Sequence, residues 1–167
     1  MHTVVISQNR NDENTEPSSS LFQENGFEVR TVEDFRFTRG LTSDEHVIEV
    51  LRGASAVIAQ GTRYTAKVLE SLPDLRVIAR SGVGFDKVDI VAATANDIVV
   101  TITPNANYEA VAEHAMALIM ALAKSLLSGD KTMRAGEWPN SPRRPLRGST
   151  LGIVGLGNIA RATARKA

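Results

Sequence analysis

Short apolar runs alternate with amphipathic stretches along most of the chain, and the two periods predict different elements. Thr3–Ser7, Phe27–Thr31, Ala56–Ala59, Arg76–Arg80, Ile98–Ile102 and Leu151–Val154 read as strands. Most are near-continuous in apolar or β-branched residues, as strands are when a parallel sheet is covered by helices on both faces, so the class is α/β. After the polar stretch Gln8–Glu16, Pro17 and Ser18–Ser20 suit a helix start, with Leu21 and Phe22 on its buried side and Asn25-Gly26 as its end. Thr42-Ser43-Asp44 caps a helix running to Leu51, whose face is Val47, Ile48, Val50 and Leu51 and whose stop is Gly53. Thr65–Leu72 predicts a helix ended by Pro73, and Asp86–Asn96 another, entered from the turn Ser81-Gly82-Val83-Gly84. The longest periodic segment runs from Asn107 to about Ala135 and is apolar nearly all round from Val111 to Leu127. A single helix of that character has to be buried between layers or subunits, and it is a natural bridge between domains. Gly136-Glu137-Trp138-Pro139-Asn140-Ser141-Pro142 and Pro145 then break regular structure.

Composition narrows the function more than the fold. The 167 residues are 43% hydrophobic and 23% charged, enough for one compact domain, or for a small domain plus part of another. Lys plus Arg equals Asp plus Glu at 19 each, so no global charge recruits nucleic acid or an anionic membrane, and a small-molecule partner is expected. The absence of cysteine removes disulfides, thiolate metal sites and thiol nucleophiles. His2, His46 and His114 lack ligand spacing. No run approaches a membrane span and no signal segment opens the chain, so a cytoplasmic location is the default expectation.

Two glycine turns carry the candidate chemistry. Gly155-x-Gly157-x-x-Ala160 sits between a predicted strand and a predicted helix. Its first glycine permits the turn, its second lets a phosphate reach the backbone, and its third position needs only a small residue for helix–strand packing. The N–H groups and positive dipole end of the helix from Asn158 would hold a pyrophosphate. Ser81-Gly82-Val83-Gly84 follows the strand ending at Arg80, where such a loop either exposes N–H groups to a ligand crevice or simply makes a tight connection. Arg80 is read as pairing with a substrate anion or, with more weight, as making a salt bridge inside the domain. Arg143, Arg144 and Arg147 read as a solvated loop before an anion site. Glu113-His114 points about 100° apart on a helix and makes a poor dyad. Trp138 reads as an interface or packing anchor.

Taken together, "LRVIARSGVGFDKVDIVAATANDIVVTITPNANYEAVAEHAMALIMALAK", "GEW" and "LRGSTLGIVGLGNIARATARKA" resemble the D-isomer-specific 2-hydroxyacid dehydrogenases, from about Gly53 to the last residue. The family includes phosphoglycerate dehydrogenase, glyoxylate and hydroxypyruvate reductases and formate dehydrogenase. The resemblance implies a flavodoxin-like substrate domain over 1–103, followed over 104–167 by a linker helix and the first βα unit of a truncated Rossmann NAD domain. It also implies roles for individual residues. Ser81, Gly82, Val83 and Gly84 would lie over the nicotinamide and the substrate carboxylate, with Val83 near the cofactor, and Gly155, Gly157, Asn158 and Ile159 would meet the NAD pyrophosphate. Two positions depart from the pattern: Ala160 replaces the usual third glycine, and Gln60 stands where phosphoglycerate-type members often carry arginine, with Arg63 nearby. The family's ribose carboxylate, catalytic arginine, orienting carboxylate and histidine are expected beyond Ala167. The chain is therefore expected to be an N-terminal portion of an oxidoreductase for a 2-hydroxy or 2-oxo acid, inactive alone. The alternative is a non-catalytic interaction or dimerisation module, meeting a second copy or the missing C-terminal portion.

Overall fold

The computed structural model describes residues 2–7, 15–138, 142–143 and 145–167. Most of the polar stretch from Gln8, the side chains of Pro17 and Ser18, and Pro139, Asn140, Ser141 and Arg144 of the predicted loop lie outside what it describes. The chain divides into two compact units, Met1–Ala106 and Asn107–Ala167.

The first unit is a five-stranded parallel sheet in the order β2-β1-β3-β4-β5, with β1 Thr3–Ser7, β2 Glu28–Val32, β3 Ala56–Ala59, β4 Val77–Arg80 and β5 Val99–Thr101. Val5 sits between Arg30 of β2 and Val57 of β3, and Ile78 between Val57 and Val100 of β5. All five residues of β1 are buried, as a strand covered on both faces requires. β5, at the edge, is short and leaves Val99 exposed. The order reverses between β1 and β3, the position in such a sheet where loops part to form a ligand crevice.

Helices α1 Thr15–Glu24, α2 Phe35–Arg39, α3 Asp44–Leu51, α4 Ala66–Glu70 and α5 Ile90–Ala95 connect the strands. Local chemistry explains their ends. Gly26 (φ 80°) closes α1, with the Phe27 amide bonded back to the Phe22 carbonyl at 3.0 Å. Ser43 caps α3 through the His46 amide, and Thr65 caps α4 through the Val68 amide while its hydroxyl donates to Asp44 Oδ2 at 2.7 Å. Val47, Leu51, Val57, Val68, Leu69, Leu75 and Ile78 meet in one core, and burying each such side chain contributes about 1.5–3 kcal/mol.

Several expectations need correction. Leu21 is 59% exposed, because α1 turns Phe22 inward, edge-on to Phe27 with ring centroids 6.0 Å apart. The helix predicted over Asp86–Asn96 begins at Ile90, since its cap is Asp89 (Oδ1 to the Ala92 amide, 2.9 Å) and Val88 pairs with Tyr64 instead. α2 has no counterpart in the sequence reading, although Asp34 bonds the Arg36 amide at its start and Gly40 (φ 70°) ends it.

The second unit holds α6 Tyr108–Ala123, α7 Leu126–Arg134 and α8 Asn158–Lys166. The continuous helix expected over Asn107–Ala135 is two, bent by 60° at Lys124-Ser125, with Ser125 in the left-handed region (φ 50°). Serine competes locally for backbone groups, and Gly129 weakens the following turn. Arg143 Nε donates to the Lys124 carbonyl at 2.8 Å, so this arginine caps a helix end. α6 and α8 approach through Ala112 and Ala162, both fully buried, and Glu109 receives Arg165 and Lys166 at 3.0 and 2.8 Å. The Lys166 hydrogen bond, then its charge and that of Arg165, hold the Glu109 carboxyl below its usual range.

Within the chain itself the apolar belt is not covered: Leu118, Leu122, Leu126 and Leu127 are 52%, 77%, 61% and 80% exposed. In its own unit α6 packs on α8 around Ala112 and Ala162, the contact that buries its one fully buried residue among those described. Trp138, 80% exposed, anchors no packing among the described residues. Leu151–Val154 forms no strand, because the unit holds no second strand among the described residues to take its N–H and C=O groups. No single helix among the described residues is long and apolar enough to cross a membrane.

Candidate functional site

The Ser81–Gly84 loop leaves the carboxyl end of β4 and is fastened at its base by two backbone bonds. The Ser81 amide donates to the Ala59 carbonyl at 2.9 Å, and the Gly82 carbonyl accepts from the Thr103 amide at 3.0 Å. The amides of Gly82, Val83 and Gly84 find no backbone acceptor among the described residues. A row of unpaired N–H groups at the end of a parallel strand attracts an anion. Neither Gly82 nor Gly84 has a positive φ, so glycine is not needed here for a left-handed backbone. Its use is to leave the amides bare; at Gly82 the only atom within 4 Å of an added Cβ is Arg80 Nη2.

Arg80 makes no ion pair with a carboxylate among the described residues, which corrects the expected internal salt bridge. Its Nε donates instead to the Gly84 carbonyl at 3.0 Å, closing the loop on itself, and its Nη1 is buried without a partner. Beside the loop runs the segment after β3. Tyr64 pairs with the chain at Lys87 and Asp89 (amide to Lys87 carbonyl 2.8 Å, Asp89 amide to Tyr64 carbonyl 2.9 Å). Burial pushes the Tyr64 phenol above its ordinary range, opposed by the Arg80 charge. Its hydroxyl makes no hydrogen bond among the described residues, and the nearby Thr62 hydroxyl donates to the Phe37 carbonyl at 2.7 Å. Lys87 Nζ ties the same segment to the Gly61 carbonyl at 2.8 Å. Arg63, Thr65, Asp86 and Asp89 line a cleft of about 440 Å³ over this pairing. Sequence reading missed Tyr64 and Lys87; the only available signal was a polar-flanked aromatic between strand and helix.

In the second unit Gly155 is left-handed (φ 82°) and Gly157 extended, and a Cβ at either would meet nothing within 4 Å. Gly157 is the N-cap of α8 and supplies no side-chain acceptor to the first turn, so that turn faces open space with its donors and its positive dipole end. Arg161 folds back over the turn, donating to the Leu156 carbonyl at 3.1 Å and to Asn158 Oδ1 at 2.6 Å. Ile159 is 44% exposed beside it. The expected site residues thus form two clusters: Ser81, Gly82, Val83 and Gly84 in the first unit, and Gly155, Gly157, Asn158 and Ile159 in the second.

A family profile described as D-isomer specific 2-hydroxyacid dehydrogenase, catalytic domain, matches residues 4–166. The chain is 32% identical over 154 residues to a D-3-phosphoglycerate dehydrogenase of Archaeoglobus fulgidus, covering 91% of this chain and 28% of that protein. It is 38% identical over 133 residues to a glyoxylate reductase of Pyrococcus furiosus, covering 74% and 40%. The structure of an NAD-dependent formate dehydrogenase from Staphylococcus aureus in complex with NAD superposes with a TM-score of 0.81 at 25% identity, covering 98% of this chain and 52% of that one. The chain thus spans about half the length of the solved relative and less than half of the two curated ones.

Proposed function

The chain belongs to the D-isomer-specific 2-hydroxyacid dehydrogenases, and on that premise we propose that it forms part of an NAD-dependent oxidoreductase acting on the CH–OH group of a small 2-hydroxy acid, or on the matching 2-oxo acid. Residues 1–103 would be the substrate domain and 104–167 the linker helix and first βα unit of the cofactor domain. The single observation that carries the reading is the row of unpaired amides at Gly82, Val83 and Gly84 on the carboxyl edge of a parallel sheet, suited to a carboxylate. Ser81 completes that loop. The open turn at Gly155 and Gly157, with Asn158 and Ile159 opening α8, fits a pyrophosphate, and Val83, 39% exposed, offers the nicotinamide an apolar contact. When bound, the cofactor supplies hydride transfer; these residues bind and orient.

The reading is tested by titrating the chain with glyoxylate, hydroxypyruvate or a phosphorylated hydroxy acid and following backbone amide shifts by NMR. Shifts centred on Gly82–Gly84 are expected, and their absence with all acids refutes the assignment. One glycine turn with its helix holds only part of a dinucleotide, so NADH binding is expected to be weak, with no NADH oxidation in the presence of hydroxypyruvate, glyoxylate or 2-oxoglutarate. Turnover above a vector control would overturn that expectation. The exposed leucines of α6 and α7 favour a second reading, a non-catalytic interaction module, because apolar surface of this kind marks an interface. Solution mass of the chain alone and mixed with a full-length relative separates the two: a strictly monomeric chain that ignores the relative removes the second.

A further inference from the structure

The two halves of the Ser81–Gly84 loop are held differently. Ser81 and Gly82 are fastened to the sheet by backbone bonds, whereas among the described residues Val83-Gly84 is tied by a side chain, Arg80, through the Gly84 carbonyl at 3.0 Å. Neither glycine imposes the loop's shape through a positive φ. A tie from outside the loop backbone is therefore what fixes the unanchored half. Its placement is not the one domain stability alone would select. Nη1 is buried with no acceptor, and the Tyr64 hydroxyl, on which the Arg80 charge acts, is buried without a partner too. A buried guanidinium nitrogen without an acceptor is a cost that a solvent-facing guanidinium would avoid.

Charge points the same way. Asp86 stands against the loop, with its Oδ1 3.0 Å from where a Cβ on Gly84 would be. That carboxylate repels any acid approaching the free amides. Arg80, with no carboxylate in ion-pair distance among the described residues, brings a positive charge to the same loop, its Nε on the Gly84 carbonyl and its Nη2 4.0 Å from where a Cβ on Gly82 would be.

We propose that Arg80 is a positioning residue for acid binding: it holds Val83-Gly84 in place through the Gly84 carbonyl, and its unpaired charge counters Asp86 so that a 2-hydroxy or 2-oxo carboxylate settles on the loop amides. This rests on the reading that the loop takes the substrate carboxylate. The test is glyoxylate titration of the whole chain by amide NMR, with thermal melting as the check on folding. R80M keeps the aliphatic stem and loses both the donor and the charge. It is expected to melt as the parent does and to bind about tenfold more weakly, as loss of one charge-assisted contact implies. R80K, which keeps the charge and a donor of similar reach, is expected to stay within about threefold of the parent. Should R80M melt early, R80Q replaces it, with binding weaker than that of R80K. Equal affinity in the parent and R80M, or R80K as weak as R80M, overturns the proposal and leaves the loop assignment standing. No shift at Gly82–Gly84 in the parent overturns the assignment, and the proposal with it.

Discussion

Gly40 and Gly61 approach each other so closely that methyl groups there should be far costlier than at other glycines of the same backbone type. The Gly61 amide donates to the Thr38 carbonyl at 2.7 Å, and its own carbonyl is held by Lys87 Nζ at 2.8 Å, so neither backbone can retreat. A Cβ on Gly40, in the left-handed region at φ 70°, would press into the Gly61 carbonyl oxygen, and one on Gly61 would lie 2.6 Å from the Thr38 oxygen. Gly53, also left-handed at φ 72°, has nothing within 4 Å of its Cβ position. Three substitutions therefore separate two effects. Gly53→Ala carries only the left-handed penalty, about 1 kcal/mol. Gly61→Ala carries only overpacking, about 1–3 kcal/mol. Gly40→Ala carries both, about 2–4 kcal/mol, which for a unit of this size lowers the melting temperature by roughly 10–25 °C. Urea melts should be followed by far-ultraviolet circular dichroism, because the single tryptophan, Trp138, is exposed and lies in the other unit. If Gly40→Ala is no worse than Gly53→Ala, the close approach is wrong, and with it the account of how the Thr62–Tyr64 segment is placed beside the candidate site.

Three further outcomes follow from side chains around the same edge. Lys67, hydrogen-bonded to Glu45, holds that carboxyl at about 2, so the pair's contribution is full above the ordinary carboxylate range and fades as pH falls toward 2. Lys67→Met should lower urea stability slightly at pH 7 and not at pH 2; a difference that persists at pH 2 refutes the linkage, and a small effect is expected because both partners are exposed. Tyr64→Phe removes a buried hydroxyl with no partner, so stability should hold within about 1 kcal/mol or rise, and in the parent the Tyr64 phenol should stay protonated at a pH where ordinary phenols ionise. Thr65→Ala loses both the α4 cap and the bond to Asp44 and should cost about 1–2 kcal/mol in the same melts; no loss would show that the cap is idle.

What the sequence revealed divides by the range of the interactions involved. β1 and β3 were legible to the residue, because β1 is buried on both faces and the fully buried Val57 and Ala59 of β3 leave an uninterrupted apolar run. α3 was legible because Ser43 caps it through local backbone bonds. α2 escaped because five residues carry too little periodicity, though Asp34 and Gly40 mark its ends plainly enough in retrospect. The break at Ser125 escaped because the apolar pattern of α6 and α7 carries on through it; what decides the bend is backbone geometry at one serine and a distant Arg143 that caps the carbonyl before it.

Leu151–Val154 and the glycine loop after β4 show the same limit from opposite sides. The former has the composition of a buried strand, yet a strand exists only as one member of a pair, and with no second strand among the described residues of its unit the segment stays unpaired, Val154 fully exposed. The loop, by contrast, was legible as a glycine turn, but its chemistry was not, because that depends on which amides the sheet leaves unsatisfied. The tie at Ser81 to Ala59 and the tie at Gly82 to Thr103 spend one amide and one carbonyl and leave the next three amides free. Arg80 could not be assigned from sequence for the same reason: whether it pairs with Asp86, with a ligand or with the loop is decided by four residues of backbone that turn the Gly84 carbonyl back toward its Nε. A motif of this kind therefore identifies a family before it identifies a site, and the site is read from the hydrogen bonds the fold withholds.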